Sequence, residues 1–282
     1  MTQLPADLAE AIAHTTPAMR AQVGAVAIVA TLALLPIAWL GVVRLVPGRN
    51  IVFARWGFSH VVLALILMVA ASYALSLLPL GERSLGVDLA LSGGAFGVVV
   101  VAICAWAVRL DPDGVRVLGL RAHGAGRALL AAVLTYVAAF PGIAGVMHVW
   151  TWLLGVCGHV AEPQEVAARF AALPADERAL PLVLGIVVQP LFEEVVFRSF
   201  LQPLLVQNFR EVMGVGLTSL LVGALHGVDA FLPIFALSCV LGAVMLRTRS
   251  LYAVWFLHAL NNGLQFAVLY AYPEIAKTGA GP

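Results

Sequence analysis

Apolar stretches recur with few interruptions from near Val23 to Tyr272. That feature places most of the chain inside a bilayer, because a hydrocarbon core about 30 Å thick is crossed by about 20 apolar residues rising about 1.5 Å each. On this measure about eight spans are expected, at approximately 23–46, 58–80, 88–108, 128–157, 181–208, 213–227, 231–247 and 251–272. Composition agrees: 62% of the 282 residues are hydrophobic and 11% charged, with mean hydropathy +0.98, where soluble domains run about 25% charged. The expected fold is all-α, a polytopic membrane protein whose helices enclose an intramembrane polar cavity.

The spans divide the chain into an N-terminal extramembrane segment (1–22), accessory spans one to four with their connectors (23–178), a core of spans five to eight (179–272) and a tail (273–282). The first residues carry Asp7 and Glu10 and lack the basic start of a cleaved signal peptide, so the N-terminus is expected to be retained. Within the long fourth span, Pro141-Gly142 should kink or break the helix. The sixth and seventh spans are short, which is tolerated where protein, not lipid, surrounds them. Two polar connectors, Arg109 to Arg127 and His159 to Arg178, are expected along the membrane surface, the second through its amphipathic Val166–Phe170 stretch.

Basic residues orient the chain. Arg44, Arg49, Arg55, Arg109, Arg116, Arg121, Arg127, Arg210, Arg247 and Arg249 fall on one side. Only Arg20, Arg83, Arg169, Arg178 and Lys277 fall on the other, which places both termini away from the cytoplasm. Sixteen Lys and Arg against fifteen Asp and Glu leave a net charge of +1, so no basic face exists for a nucleic-acid backbone. Cys104, Cys157 and Cys239 are widely spaced in apolar runs and read as small core hydrophobes.

The fifth span contains Pro190-Leu-Phe-Glu-Glu-Val-Val-Phe-Arg198, two adjacent carboxylates and an arginine in an apolar helix. Each such charge costs roughly 2.5 to 3.5 kcal/mol at a helix centre in lipid, so the cluster must face protein or water. Glu194 and Arg198 are four apart and share a face, whereas Glu193 lies about 100° around the helix from Glu194. Glu194 and Arg198 read as a structural ion pair. Glu193, without that partner, is the better general base. The eighth span places His258 and Asn262 on one face, with Asn261 one residue off it, and the sixth ends His226-Gly227. A free carboxylate, two imidazoles and an amide are the parts needed to activate water and stabilise an oxyanion. His60 and His148 read instead as hydrogen-bonding residues between helices.

Glu193-Glu194-Val-Val-Phe197-Arg198, then His226, then Arg247-Thr-Arg-Ser-Leu251 leading to His258-Ala-Leu-Asn-Asn262, resembles the CPBP intramembrane proteases, the family of the CAAX-prenyl endopeptidase and bacteriocin-processing proteins. The resemblance covers roughly residues 180 to 270, and it departs from the family pattern at Val222 and Ala230, four before and four after His226, where that pattern usually has phenylalanine and often asparagine. It implies hydrolysis of a peptide bond in a membrane-associated peptide or protein. In that reading Glu193 and His226 activate water, His258 and Asn262 polarise the scissile carbonyl, and Glu194 and Arg198 support them. It also implies a multi-pass protein of a bacterial inner (plasma) membrane. No cofactor is expected: a catalytic zinc normally takes three protein ligands, and with Glu193 as base, His226 and His258 leave the site one short. Were zinc bound, its ligands would be His226, His258 and Glu193 or Glu194. A secondary transporter is the competing class, since such residues also line ion pathways, and a catalytically inactive membrane scaffold is a third. One depth mismatch stands out: His226, at the end of the sixth span as drawn, falls roughly 10 Å outside the level of Glu193 and His258.

Overall fold

The computed structural model describes residues 15–46, 54–80, 83–120 and 124–272. Asp7, Glu10, Arg49, Arg121, Lys277 and the tail 273–282 lie outside the described residues. The described residues form an all-helical bundle. Helix α1 (Pro17–Leu45) starts where Thr16 accepts from the Met19 amide at 3.2 Å and Pro17 occupies the first turn. It is followed by α2 (Phe58–Ser76), α3 (Leu85–Leu110), α4 (Ala125–Val156) and the short α5 (Glu165–Ala172). Next comes a helical run that reverses at Arg210: α6 (Ala179–Val183), a π-helical stretch (Leu184–Val188), α7 (Gln189–Glu194), a second π-helical stretch (Val195–Leu201) and α8 (Gln202–Leu225). Helices α9 (Gly227–Thr248) and α10 (Leu251–Ala271) complete the bundle.

Six helical runs are long and apolar enough to cross a membrane, against the eight drawn from hydropathy. Two physical reasons account for the difference. The run Ala175–Leu225 counts once but doubles back at Arg210 (φ 70°, ψ 170°), with Gly214 seated against the Val206 backbone, so the fifth and sixth spans are two limbs of one hairpin. Helix α10 falls short by composition, because His258, Asn261, Asn262 and Gln265 interrupt its apolar sequence. The hairpin also removes the depth mismatch. Glu193 precedes and His226 follows the reversal by nearly the same number of residues, so the two come level, and Val222, one turn before His226, packs with Phe197 and Leu201.

Pro141 does not break α4, which continues to Val156. Instead Gly142 and Gly145 let α1 come close: a Cβ on Gly145 would lie 2.4 Å from the Gly24 carbonyl oxygen, and one on Gly142 would lie 2.8 Å from Thr31. Each polar connector anchors to the bundle through buried residues. Leu118 is fully buried, the Gly119 carbonyl accepts from the Leu251 amide at 3.1 Å, and the Leu118 carbonyl accepts from Ser199 Oγ at 2.7 Å. In α5, Phe170 is fully buried against Phe266, and the Arg178 guanidinium stacks over Phe170 and Tyr270. The basic connectors gather at one end of the bundle, where Arg55 pairs with Asp111 at 3.1 Å and Arg247 donates to the Val43 carbonyl. All three cysteines are free thiols, and Cys157 is exposed, not in the core. The core that carries the site joins α4, α9 and α10 through Ala132, Tyr136, Leu237, Leu241, Val254 and Leu257.

Candidate active site

Both π-helical stretches flank the adjacent glutamates. A π-helix widens the turn and changes which backbone carbonyls find partners within the helix, and it recurs at functional sites for that reason. Here side chains from other segments cap three such carbonyls: Asn262 Nδ2 donates to Gly185 at 3.0 Å, Trp255 Nε1 to Val187 at 2.9 Å and Trp56 Nε1 to Phe200 at 2.9 Å. The widened helix is thereby tied to α10 on the side that bears the polar residues. Gly185 allows the close approach, since a Cβ there would lie 2.8 Å from the Phe266 ring.

Glu194 is 2% and Arg198 1% exposed in their side chains, and they pair at 3.2 Å through Glu194 Oε2. Arg198 Nη2 also donates to Ser238 Oγ of α9 at 2.7 Å. The expected ion pair is present, but Glu194 does more than hold the arginine. Its other oxygen, Oε1, accepts from His258 Nδ1 at 2.7 Å. With Glu194 ionised beside Arg198, the proton of this bond sits on Nδ1, so the carboxylate fixes both the ring orientation and the tautomer of His258. The opposite ring nitrogen, Nε2, then faces Glu193, 3.9 Å from its Oε2. That gap is too long for a direct hydrogen bond and suits one bridging water. Glu193 is partly exposed, its side chain at 20%.

His226 caps the end of α8, where its Nδ1 donates to the Val222 carbonyl at 2.7 Å, leaving Nε2 as the available ring nitrogen. It is exposed and lies within electrostatic range of Glu193. Glu193 and His258 are thus brought together, with His226 within electrostatic range and Asn262 one turn along α10 from His258. Asn261, one residue off the face that His258 and Asn262 share, is buried and accepts from Tyr136 Oη at 3.0 Å. Tyr136 and Ser238 are supporting residues that sequence reasoning did not single out. Their one signal is that each carries a hydroxyl in an apolar span. His60 accepts from the Gly57 amide and packs edge-on against Trp106, so it caps its own helix.

Both Glu194 oxygens are committed, as are His226 Nδ1 and His258 Nδ1. Among the described residues no group of three His, Cys, Asp or Glu side chains is arranged to hold a metal ion.

Residues 175–264 match the family model described as Rce1-like, type II CAAX prenyl endopeptidase Rce1-like, and that segment holds every candidate site residue. No curated protein and no solved structure matches the chain.

Proposed function

We propose that this multi-pass membrane protein, whose residues 175–264 match the type II CAAX prenyl endopeptidase Rce1-like family model, hydrolyses a peptide bond of a membrane-associated substrate with a water activated by Glu193. The observation that carries this reading is the division between the two adjacent carboxylates. Glu194 spends both oxygens on Arg198 and His258, whereas Glu193 faces His258 Nε2 across 3.9 Å.

In the proposed reaction a water between Glu193 and His258 gives a proton to the Glu193 carboxylate, and its oxygen bonds to the scissile carbonyl carbon. The π electrons of that carbonyl move to its oxygen. The resulting oxyanion is met by donors on α10: the Asn262 amide, which has a second N–H beyond the one given to Gly185, and His258 when Nε2 carries a proton. The C–N bond then breaks as the proton held by Glu193 passes to the leaving nitrogen, giving a carboxylate and an amine. Through its available Nε2, His226 assists at the Glu193 side. Arg198 and Glu194 keep the charge count of the buried cluster balanced and hold His258 in register. No step uses a metal.

The test is mass spectrometry of membrane and secreted proteins from cells carrying the wild-type chain or Glu193→Gln. A cleavage product present with the first and missing with the second supports the reading. Identical product sets at equal expression contradict it.

A further inference from the structure

A cavity of about 140 Å³ lies one turn beyond the proposed catalytic residues, between α4, α9, α10 and the connector that leads into α5. Two of its walls continue the site. Asp229 follows His226 by three residues, and Gln265 follows Asn262 by three on the same helical face. A third link is Ile234, which lines the cavity and also packs against Phe197 and Val222, the residues beneath Glu193 and His226. The volume is close to that of engineered cavities, about 150 Å³, that admit one benzene. It therefore holds one side chain, not a helix or a lipid tail.

The lining sorts by chemistry. Met147, Pro233 and Leu269 offer apolar surface. Glu162 has no hydrogen bond or ion pair among the described residues, and Asp229 uses only Oδ1, which accepts from His159 Nε2 at 2.6 Å. No lysine or arginine lines the cavity, and His159 is the one basic group recorded against its carboxylates. An apolar sleeve ending in two under-used carboxylates suits a long aliphatic stem carrying a cation. Ala230, buried at the cavity wall, keeps the space open.

Resting on the protease reading above, we propose that this cavity is a specificity pocket for a basic side chain, lysine or arginine, that flanks the scissile bond where the substrate leaves its apolar stretch. The aliphatic stem packs on Met147, Pro233 and Leu269, and the cation meets Glu162 and the free oxygen of Asp229.

The experiment measures binding apart from cleavage. The full-length Glu193→Gln protein in detergent is titrated with single-span leucine–alanine peptides that carry lysine, norleucine or glutamate at successive positions past the apolar stretch. At one position lysine should bind at least about tenfold tighter than norleucine, and glutamate weakest of the three, because two carboxylates attract a cation and repel a third carboxylate. Adding Glu162→Gln and Asp229→Asn should bring the lysine-to-norleucine ratio below about twofold. General damage would weaken both peptides and leave the ratio intact, so an unchanged ratio overturns the proposal. Should those substitutions prevent folding, a diazirine-bearing lysine analogue in the peptide gives an independent readout. Crosslinks within 161–164 or 229–234 support the pocket, and crosslinks confined elsewhere overturn it. Equal binding of lysine and norleucine peptides, with both cleaved by the wild-type protein, overturns the pocket and leaves the protease reading standing. Lysine-dependent binding without cleavage does the reverse.

Discussion

Helices α1 and α2 and the run from α6 to α8 cross the same medium and solve different problems. Of their most apolar stretches, 11% of α1 and 6% of α2 is buried inside the protein, against 33% for the run Ala175–Leu225. Val23, Val26, Val29 and Leu32 of α1 stand outward, where lipid is as good a solvent as another helix, so apolar identity matters there and shape matters little. The α6–α8 run carries two carboxylates and an arginine, and it can do so because protein wraps them. Arg198 reaches Glu194 and Ser238, and Glu194 reaches His258. The contrast teaches that hydropathy marks where the membrane is, while unsatisfied polar chemistry marks where protein replaces it.

The most damaging way to break that contrast is Arg198→Met, which leaves Glu194 charged, buried and short of its cation. Stability in detergent should fall by about 3 to 5 kcal/mol, the usual cost of removing one partner of a buried pair, measured by thermal or denaturant unfolding. Next, Asn262→Ala should lower turnover about 10²- to 10³-fold, as for loss of an oxyanion donor, with little change in substrate binding. Steady-state kinetics on a cleaved peptide separates the two. Asn261→Ala acts through packing: it strands the Tyr136 hydroxyl, at about 1 to 3 kcal/mol of stability, and Asn261→Ala with Tyr136→Phe should recover part of that loss. At the bottom of the scale, Val26→Leu on the lipid-facing side of α1 should change stability by no more than about 0.5 kcal/mol.

Much of this was legible in the residues themselves, and what was missed has a common origin. Four-residue spacing alone pairs Glu194 with Arg198, and the same rule places His258 and Asn262 together, because helix geometry is local. It cannot say that Glu194 also meets His258, since that contact depends on how two helices sixty residues apart are rotated. Nor can it say that Asn261, one residue off the His258 face, turns toward Tyr136. Length and hydropathy pick out fewer helical runs where the sequence carries function. The polar residues of α10 depress its hydropathy, and the reversal at Arg210 joins two drawn spans as the limbs of one hairpin. Pro141 misled because its helix-breaking tendency was weighed without its neighbour: Gly142 admits Thr31, and the packed α1 accompanies an unbroken helix.

The central claim is that two adjacent carboxylates have separate duties, Glu193 in chemistry and Glu194 in holding His258 and Arg198. It is tested most directly by measuring cleavage and unfolding side by side for Glu193→Gln and Glu194→Gln. The account predicts that Glu193→Gln unfolds within about 0.5 kcal/mol of wild type and cleaves nothing, whereas Glu194→Gln loses about 3 to 5 kcal/mol because Arg198 is left unpaired. Two variants equally stable and equally inactive would contradict it.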